Sequence, residues 1–250
     1  MKILWLAFLS TSLALPILAQ QKTDKNMNDL RGAVHTISTT VILETKEAGK
    51  TVKRDADIDN SEVYDRQGNL VEKKAKAGLN LQQSVFSRDA QGQRIEKMAD
   101  GPPNPLAPPR PAVPGGGERN ADFLTFITAY RYDAEKRQLE ATTHRRSGQL
   151  LQVDTYLFDE KERVLEHSRT YSVESGGGGF RFVHKYDERG ALIESLSYKV
   201  NSGQVEHKTQ YQGIVLDQQG NWIKRTETMT GADGKPRNAP IVSVRQITYY

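Results

Sequence analysis

The sequence predicts an all-β protein: an antiparallel β-meander of hairpin repeats, with about a dozen strands in an extended, twisted or partly wrapped sheet. Three observations carry this. One turn motif recurs six times. A second, glycine-containing class of turn falls between the copies. The stretches between turns have strand length and are rich in β-branched and aromatic residues.

The motif is aromatic-Asp-x-x-Gly-x-apolar-apolar-Glu. Its copies begin at Tyr64-Asp65, Arg88-Asp89, Tyr132-Asp133, Phe158-Asp159, Tyr186-Asp187 and Leu216-Asp217. The aspartates are 24, 44, 26, 28 and 30 residues apart, and removing a proline-rich insertion at 100–120 brings the long interval to 23. Such a period with turn chemistry at fixed phase marks a repeat architecture. An aspartate opening a four-residue turn accepts bonds from backbone N–H groups further along. The glycine slot, held by Gly68, Gly92, Gly190 and Gly220, supplies positive φ at no steric cost. Lys136 and Glu162 fill that slot in repeats three and four, so these turns are expected to be looser or differently shaped.

The intervening turns are Ala77-Gly78, Ser147-Gly148, Gly176 to Gly179, Asn201-Ser202-Gly203 and Gly231-Ala232-Asp233-Gly234. Val34 to Thr45 adds a strand before the first repeat, and Val242 to Tyr250 one after the last. Each hairpin buries little alone, so stacked neighbours must form the core.

Tyr64-Asp65…Gly68, Tyr186-Asp187…Gly190 and Asp217…Gly220-Asn221-Trp222 resemble the Rhs or YD (tyrosine–aspartate) repeats of exported bacterial proteins. The resemblance spans about residues 34–250 and implies β-sheets that wrap or coil, but no particular activity. The chain has far fewer repeats than the large members and no separate toxin domain. A short, stand-alone exported repeat protein is the closer analogy.

Residues 1–19 read as an export signal: Lys2, then apolar Ile3 to Leu9 and Leu13 to Leu18, with Ile17 and Ala19 before a cleavage point. No later segment has the apolar length of a spanning helix, so the mature chain is expected to be soluble, periplasmic or extracellular. Loss of Lys2 lowers the formal charge from +4 to +3, and the charges are well mixed, which argues against nucleic acid as a partner. The chain has no cysteine, hence no disulfide and no thiolate ligand. Residues 20–33 are expected to be a disordered segment and 34–250 a single β-repeat domain. The insertion holds seven of the ten prolines and is expected to be a solvated loop.

Candidate chemistry is sparse. Asp55, Asp57 and Asp59 alternate like the start of a calcium loop, but Asn60 and Arg66 stand where that loop needs Gly and Glu. Alternation equally suits the wet face of a strand. His35, His144, His167, His184 and His207 lack metal-ligand spacing, although strands can bring His167 and His184 together. Glu72, Glu96, Glu140, Glu166 and Glu194 recur at one repeat phase, as structural positions do. The aromatics before the aspartates are expected to be core rather than sugar-stacking platforms. The expected function is a non-enzymatic binding or structural element of the cell envelope, without cofactor, whose partner is an envelope protein or glycan. The alternatives are a periplasmic half-barrel for lipid or lipoprotein, revealed by an apolar cavity, and a sheet-borne carbohydrate-active hydrolase, revealed by convergent carboxylates or histidines.

Overall fold

The structure, a computed structural model, describes residues 22–47, 50–78, 80–99, 125–199 and 202–250. The export signal and the insertion at 100–120 lie outside the described residues. Among the described residues, fourteen strands run in order: β1 Val34–Glu47, β2 Lys50–Tyr64, β3 Leu70–Ala77, β4 Asn80–Arg88, β5 Arg94–Ala99, β6 Thr125–Asp133 and β7 Gln138–Arg145. They continue with β8 Leu150–Phe158, β9 Val164–Tyr171, β10 Gly179–Tyr186, β11 Leu192–Lys199, β12 Val205–Leu216, β13 Trp222–Gly231 and β14 Ile241–Tyr249.

Every strand pairs antiparallel with its neighbours in sequence, and β14 pairs with β1 from Val34↔Tyr249 to Leu43↔Ile241. The sheet is thus a closed barrel, not the extended or partly wrapped sheet that the repeats suggest. Closure satisfies the two edges that an open meander leaves bare, and the twist between neighbouring strands brings those edges together.

The aspartate turns gather at one mouth of the barrel. Five share one geometry. In the first, the Gly68 N–H donates to the Asp65 carbonyl at 3.0 Å and the Asn69 N–H to Asp65 Oδ1 at 2.8 Å. Asp89, Asp159, Asp187 and Asp217 repeat both bonds. Glu162 adopts φ 62° and keeps this geometry without glycine. The turn at Asp133 does differ: the left-handed residue is Arg137, one position later, at φ 50°.

The pre-aspartate aromatics point inward. Tyr64 and Phe158 are fully buried, and Tyr132 packs with Leu139, Phe158 and Val164. Tyr64, Tyr132 and Phe158 form the core around the mouth, and Tyr186 lines the space beneath it.

Residues 22–33, expected to be disordered, instead seal this mouth. A four-residue helix, α1 (Asp24–Met27), sits within it, and Leu30 joins a buried cluster with Val34, Ile37, Tyr64, Leu70 and Phe86. Asp24 is 2% exposed. Its carboxylate accepts from the Leu70 N–H at 3.0 Å, Arg94 at 2.9 Å and Arg88 at 3.2 Å. Lys22 pairs with Glu162 at 2.6 Å, and Arg31 exchanges two backbone bonds with the Asn221 side chain at 2.8 and 2.9 Å. The plug is held by specific polar bonds as well as by apolar burial, so polarity of sequence does not mean disorder here.

Candidate functional site in the barrel lumen

Strand alternation divides the side chains into a lumen set and an outer set. The lumen set is unusually polar for an interior, and most of its charges are matched. Asp154, 4% exposed, accepts from His167 Nε2 and Arg169 Nε, each at 2.7 Å. Burial alone would raise its carboxyl; the bonds from His167 and Arg169 outweigh that and hold it below the usual carboxylate range. His167 stacks on Tyr156 at 4.3 Å. Across the strand lies His184, whose Nδ1 is buried without a hydrogen-bond partner among the described residues. Burial, and then the neighbouring His167, push its ring down to about 4, so it is neutral near pH 7.

Beneath the plug lies a chamber of about 190 Å³, walled by Met27, His167, His184, Tyr186, Arg225 and Arg245 among others. A second chamber of about 420 Å³ lies further down the lumen, against Ile37, Val41, Ile58, Trp222, Ile241 and Arg245 among others. Trp222, Arg225 and Arg245 line both chambers. The guanidinium carbons of Arg245 and Arg225 lie 3.6 and 4.0 Å from the Trp222 ring centre. Both guanidinium groups therefore lie against the indole. Arg225 also rests on Tyr211 at 4.2 Å and pairs with Glu227 at 3.0 Å. The lower chamber carries two carboxylates, Glu62 and Glu227, against three cations, Lys73, Arg225 and Arg245. Burial, and then the charge of Arg225, push the Arg245 guanidinium down to about 10, which leaves it charged at neutral pH.

None of these lumen residues except the histidines stands out in the sequence. Arg225 and Arg245 look like solvated strand residues until the lumen phase of β13 and β14 is known. Ile241 and Ile247 share the parity of Arg245, and that is the one signal that would have exposed it.

The other expected sites fall elsewhere. The turn aspartates and glycines ring the plugged mouth as described. Asp55, Asp57 and Asp59 lie exposed on the outer wall, where β2 bulges against β1. Asp57 pairs with Lys76 at 2.5 Å, Asp59 accepts from Thr40 at 2.9 Å, and Asp55 accepts from the Asp57 N–H at 2.8 Å. Each carboxylate is turned to a separate partner. Among the described residues, no group of three or more His, Asp or Glu side chains is gathered for a metal ion. Of the repeated glutamates, Glu140 and Glu194 pair across strands with Arg131 at 3.2 Å and Lys208 at 2.6 Å.

Scanned against models of known protein families, the chain matches none. A search of curated proteins gives no match. Among solved structures, a porin-like protein from Bacteroides vulgatus is 10% identical with a TM-score of 0.38, over 84% of this chain and 97% of that one. A DUF1329 family protein from Desulfovibrio piger is 9% identical with a TM-score of 0.34, over 86% of each chain. The Photorhabdus luminescens Tc holotoxin pore is 14% identical with a TM-score of 0.23, over 78% of this chain and 13% of that one.

Proposed function

We propose that this is an exported, non-enzymatic binding protein of the cell envelope that holds a small ligand inside the barrel, beneath its N-terminal plug. One observation carries the reading: two chambers that meet at Trp222, Arg225 and Arg245, in a wall with more cations than carboxylates. Side chains filling an interior usually satisfy one another. Among the described residues five buried side-chain nitrogens have no hydrogen-bond partner, and two of them, the Arg245 Nε and the His184 Nδ1, belong to residues that line these chambers. The lower chamber falls in the ~300–1,000 Å³ range of small-ligand sites.

Export rests on the leader at residues 1–19. The outer wall supports a water-facing barrel, since outward positions carry charge along several strands. Glu194 and Lys208 pair on neighbouring strands at 2.6 Å, and Lys74 pairs with Glu72 at 2.7 Å. A lipid-facing band would be apolar at such positions. The hydrolase alternative gains the convergence of His167 and His184 on the upper chamber. However, His167 is already bonded to Asp154, and the chamber wall offers one carboxylate, Asp29, and no serine or threonine hydroxyl among the described residues. That does not make the paired carboxylates of a glycosidase.

Native mass spectrometry of the protein recovered from the exported fraction tests the reading. A released adduct of small-molecule mass is expected. A barrel that is uniformly empty, and stays empty when offered envelope extract, contradicts it.

A further inference from the structure

The proposal that follows rests on the lumen-binding reading and gives its ligand a chemistry. The inward arginines of the barrel are mostly neutralised. Arg88 and Arg94 are bonded to Asp24, Arg169 to Asp154, and Arg225 to Glu227. Arg245 breaks this pattern. Among the described residues it has no ion-pair partner; its Nε, like those of Arg88 and Arg94, is buried without a hydrogen bond, and its guanidinium lies against the Trp222 ring. The two nearest carboxylates are occupied. Glu62 pairs with Lys73 at 3.1 Å, and Glu227 pairs with Arg225 at 3.0 Å. A desolvated guanidinium without an anion is costly, and an incoming carboxylate or phosphate recovers that cost with a charge-assisted bond.

The space next to this cation is apolar on one side. Val41, Ile58 and Ile241 wall the lower chamber on the side away from the plugged mouth, with Thr39, Asn60 and Ser243 between them and Arg245, while Ile37 closes it towards the plug. A ligand filling it therefore meets a cation near Trp222 and aliphatic side chains at the far end. We propose that the lumen binds an anionic amphiphile with one charged head group, its carboxylate or phosphate on Arg245 beside Trp222 and its aliphatic body towards Val41, Ile58 and Ile241. Arg225 also lies against the indole and adds to the positive field without giving up Glu227. Glu62 and Glu227 set the limit: a ligand with a second negative charge further along its body would be repelled by them.

The chain has two tryptophans, and Trp5 lies in the leader, so in the protein without residues 1–19 the emission of Trp222 reports on this site alone. Four probes of equal chain length separate the possibilities: decanoate, decyl phosphate, decan-1-ol and decyltrimethylammonium. They are titrated against the full barrel by Trp222 emission and by calorimetry. At least one of the two anions is expected to bind about tenfold or more tightly than the alcohol, with the ammonium weakest. Arg245→Gln should bring anion and alcohol to within about threefold of each other, at an unchanged or raised melting temperature. The order of decanoate and decyl phosphate tells whether the natural head is a carboxylate or a phosphate. Equal affinity for decanoate, decyl phosphate and decan-1-ol overturns the proposal and leaves lumen binding standing. That comparison needs no variant, so it decides the matter even if Arg245→Gln fails to fold. Anion preference that survives intact in folded Arg245→Gln overturns the assignment to Arg245. No binding of any probe overturns the proposal too, and the adduct measurement on the exported protein then decides the wider reading separately.

Discussion

At the residue scale, the turn motif shows how much a single slot controls. Glu162 and Arg137 both take left-handed φ without being glycine, at 62° and 50°. That costs a non-glycine residue about 1–2 kcal/mol. Their surroundings differ. Arg137 faces solvent, and its contact to Glu160, at 3.6 Å, is an exposed pair worth little. Arg137→Gly should therefore stabilise the barrel by up to about 1 kcal/mol in urea unfolding. Glu162 neutralises Lys22, whose side chain is 4% exposed. Glu162→Gly strands that buried ammonium and should destabilise despite the easier backbone. Equal effects of the two substitutions would show that the Lys22 pair is idle. The sequence revealed the missing glycines but not which of the two turns had a compensating partner, because Lys22 is 140 residues from Glu162.

His184 gives a pH signature at the same scale. Its folded-state value is about 4, while the unfolded chain keeps about 6.5. The unfolded state thus binds the extra proton in that interval, and stability falls as pH drops from about 6.5 towards 4, by at most about 3 kcal/mol. Asp29 tilts the other way, because burial raises its carboxyl to about 6 against the pull of Arg31. The readout is therefore the difference between wild type and His184→Gln. Unfolding free energies at about pH 4.5 and about pH 7 should differ less in the variant. Identical slopes would place the His184 ring in contact with water.

At the element scale, strands were legible and their facing was not always so. Glu96 occupies the same repeat phase as Glu72, yet points inward to accept from Ser84 at 2.8 Å. The first hairpin shifts register between Val63 and Tyr64, whereas the second runs Arg88↔Arg94, Ser87↔Ile95 and Phe86↔Glu96 without a shift. One residue of slip exchanges the two faces of a strand, and no local signal announced it. The plug was illegible for a different reason. Lys22 to Arg31 is short and polar, and its order comes from partners more than 40 residues away. Asp24 is the centre of that order. Asp24→Asn leaves Arg88 and Arg94 with half-buried, uncompensated charge and should cost about 3–5 kcal/mol. It should also open the N-terminal segment to limited proteolysis before the barrel melts. A melting temperature within a degree or so of wild type would mean that the plug is not latched by this carboxylate.

At the scale of the whole molecule, local patterning shows that strands follow one another as hairpins, but not that the last meets the first. Val34 to Leu43 and Ile241 to Tyr249 are ordinary strand sequences, and nothing in either announces the other. Their pairing turns a sheet with two faces into a wall with an inside, and every claim about the lumen depends on it. The chain has no cysteine, so a single introduced pair is free of competing thiols. Thr40 and Val244 are Cα partners across β1 and β14. Partners in an antiparallel ladder lie about 4.5–5.5 Å apart, within reach of a disulfide. The measurement is spontaneous disulfide formation in the doubly substituted Thr40→Cys, Val244→Cys protein under mild oxidation, read by intact mass and non-reducing electrophoresis. A closed barrel predicts rapid, intramolecular, near-complete cross-linking of the monomer with no loss of thermal stability; free thiols or cross-linked dimers would contradict it.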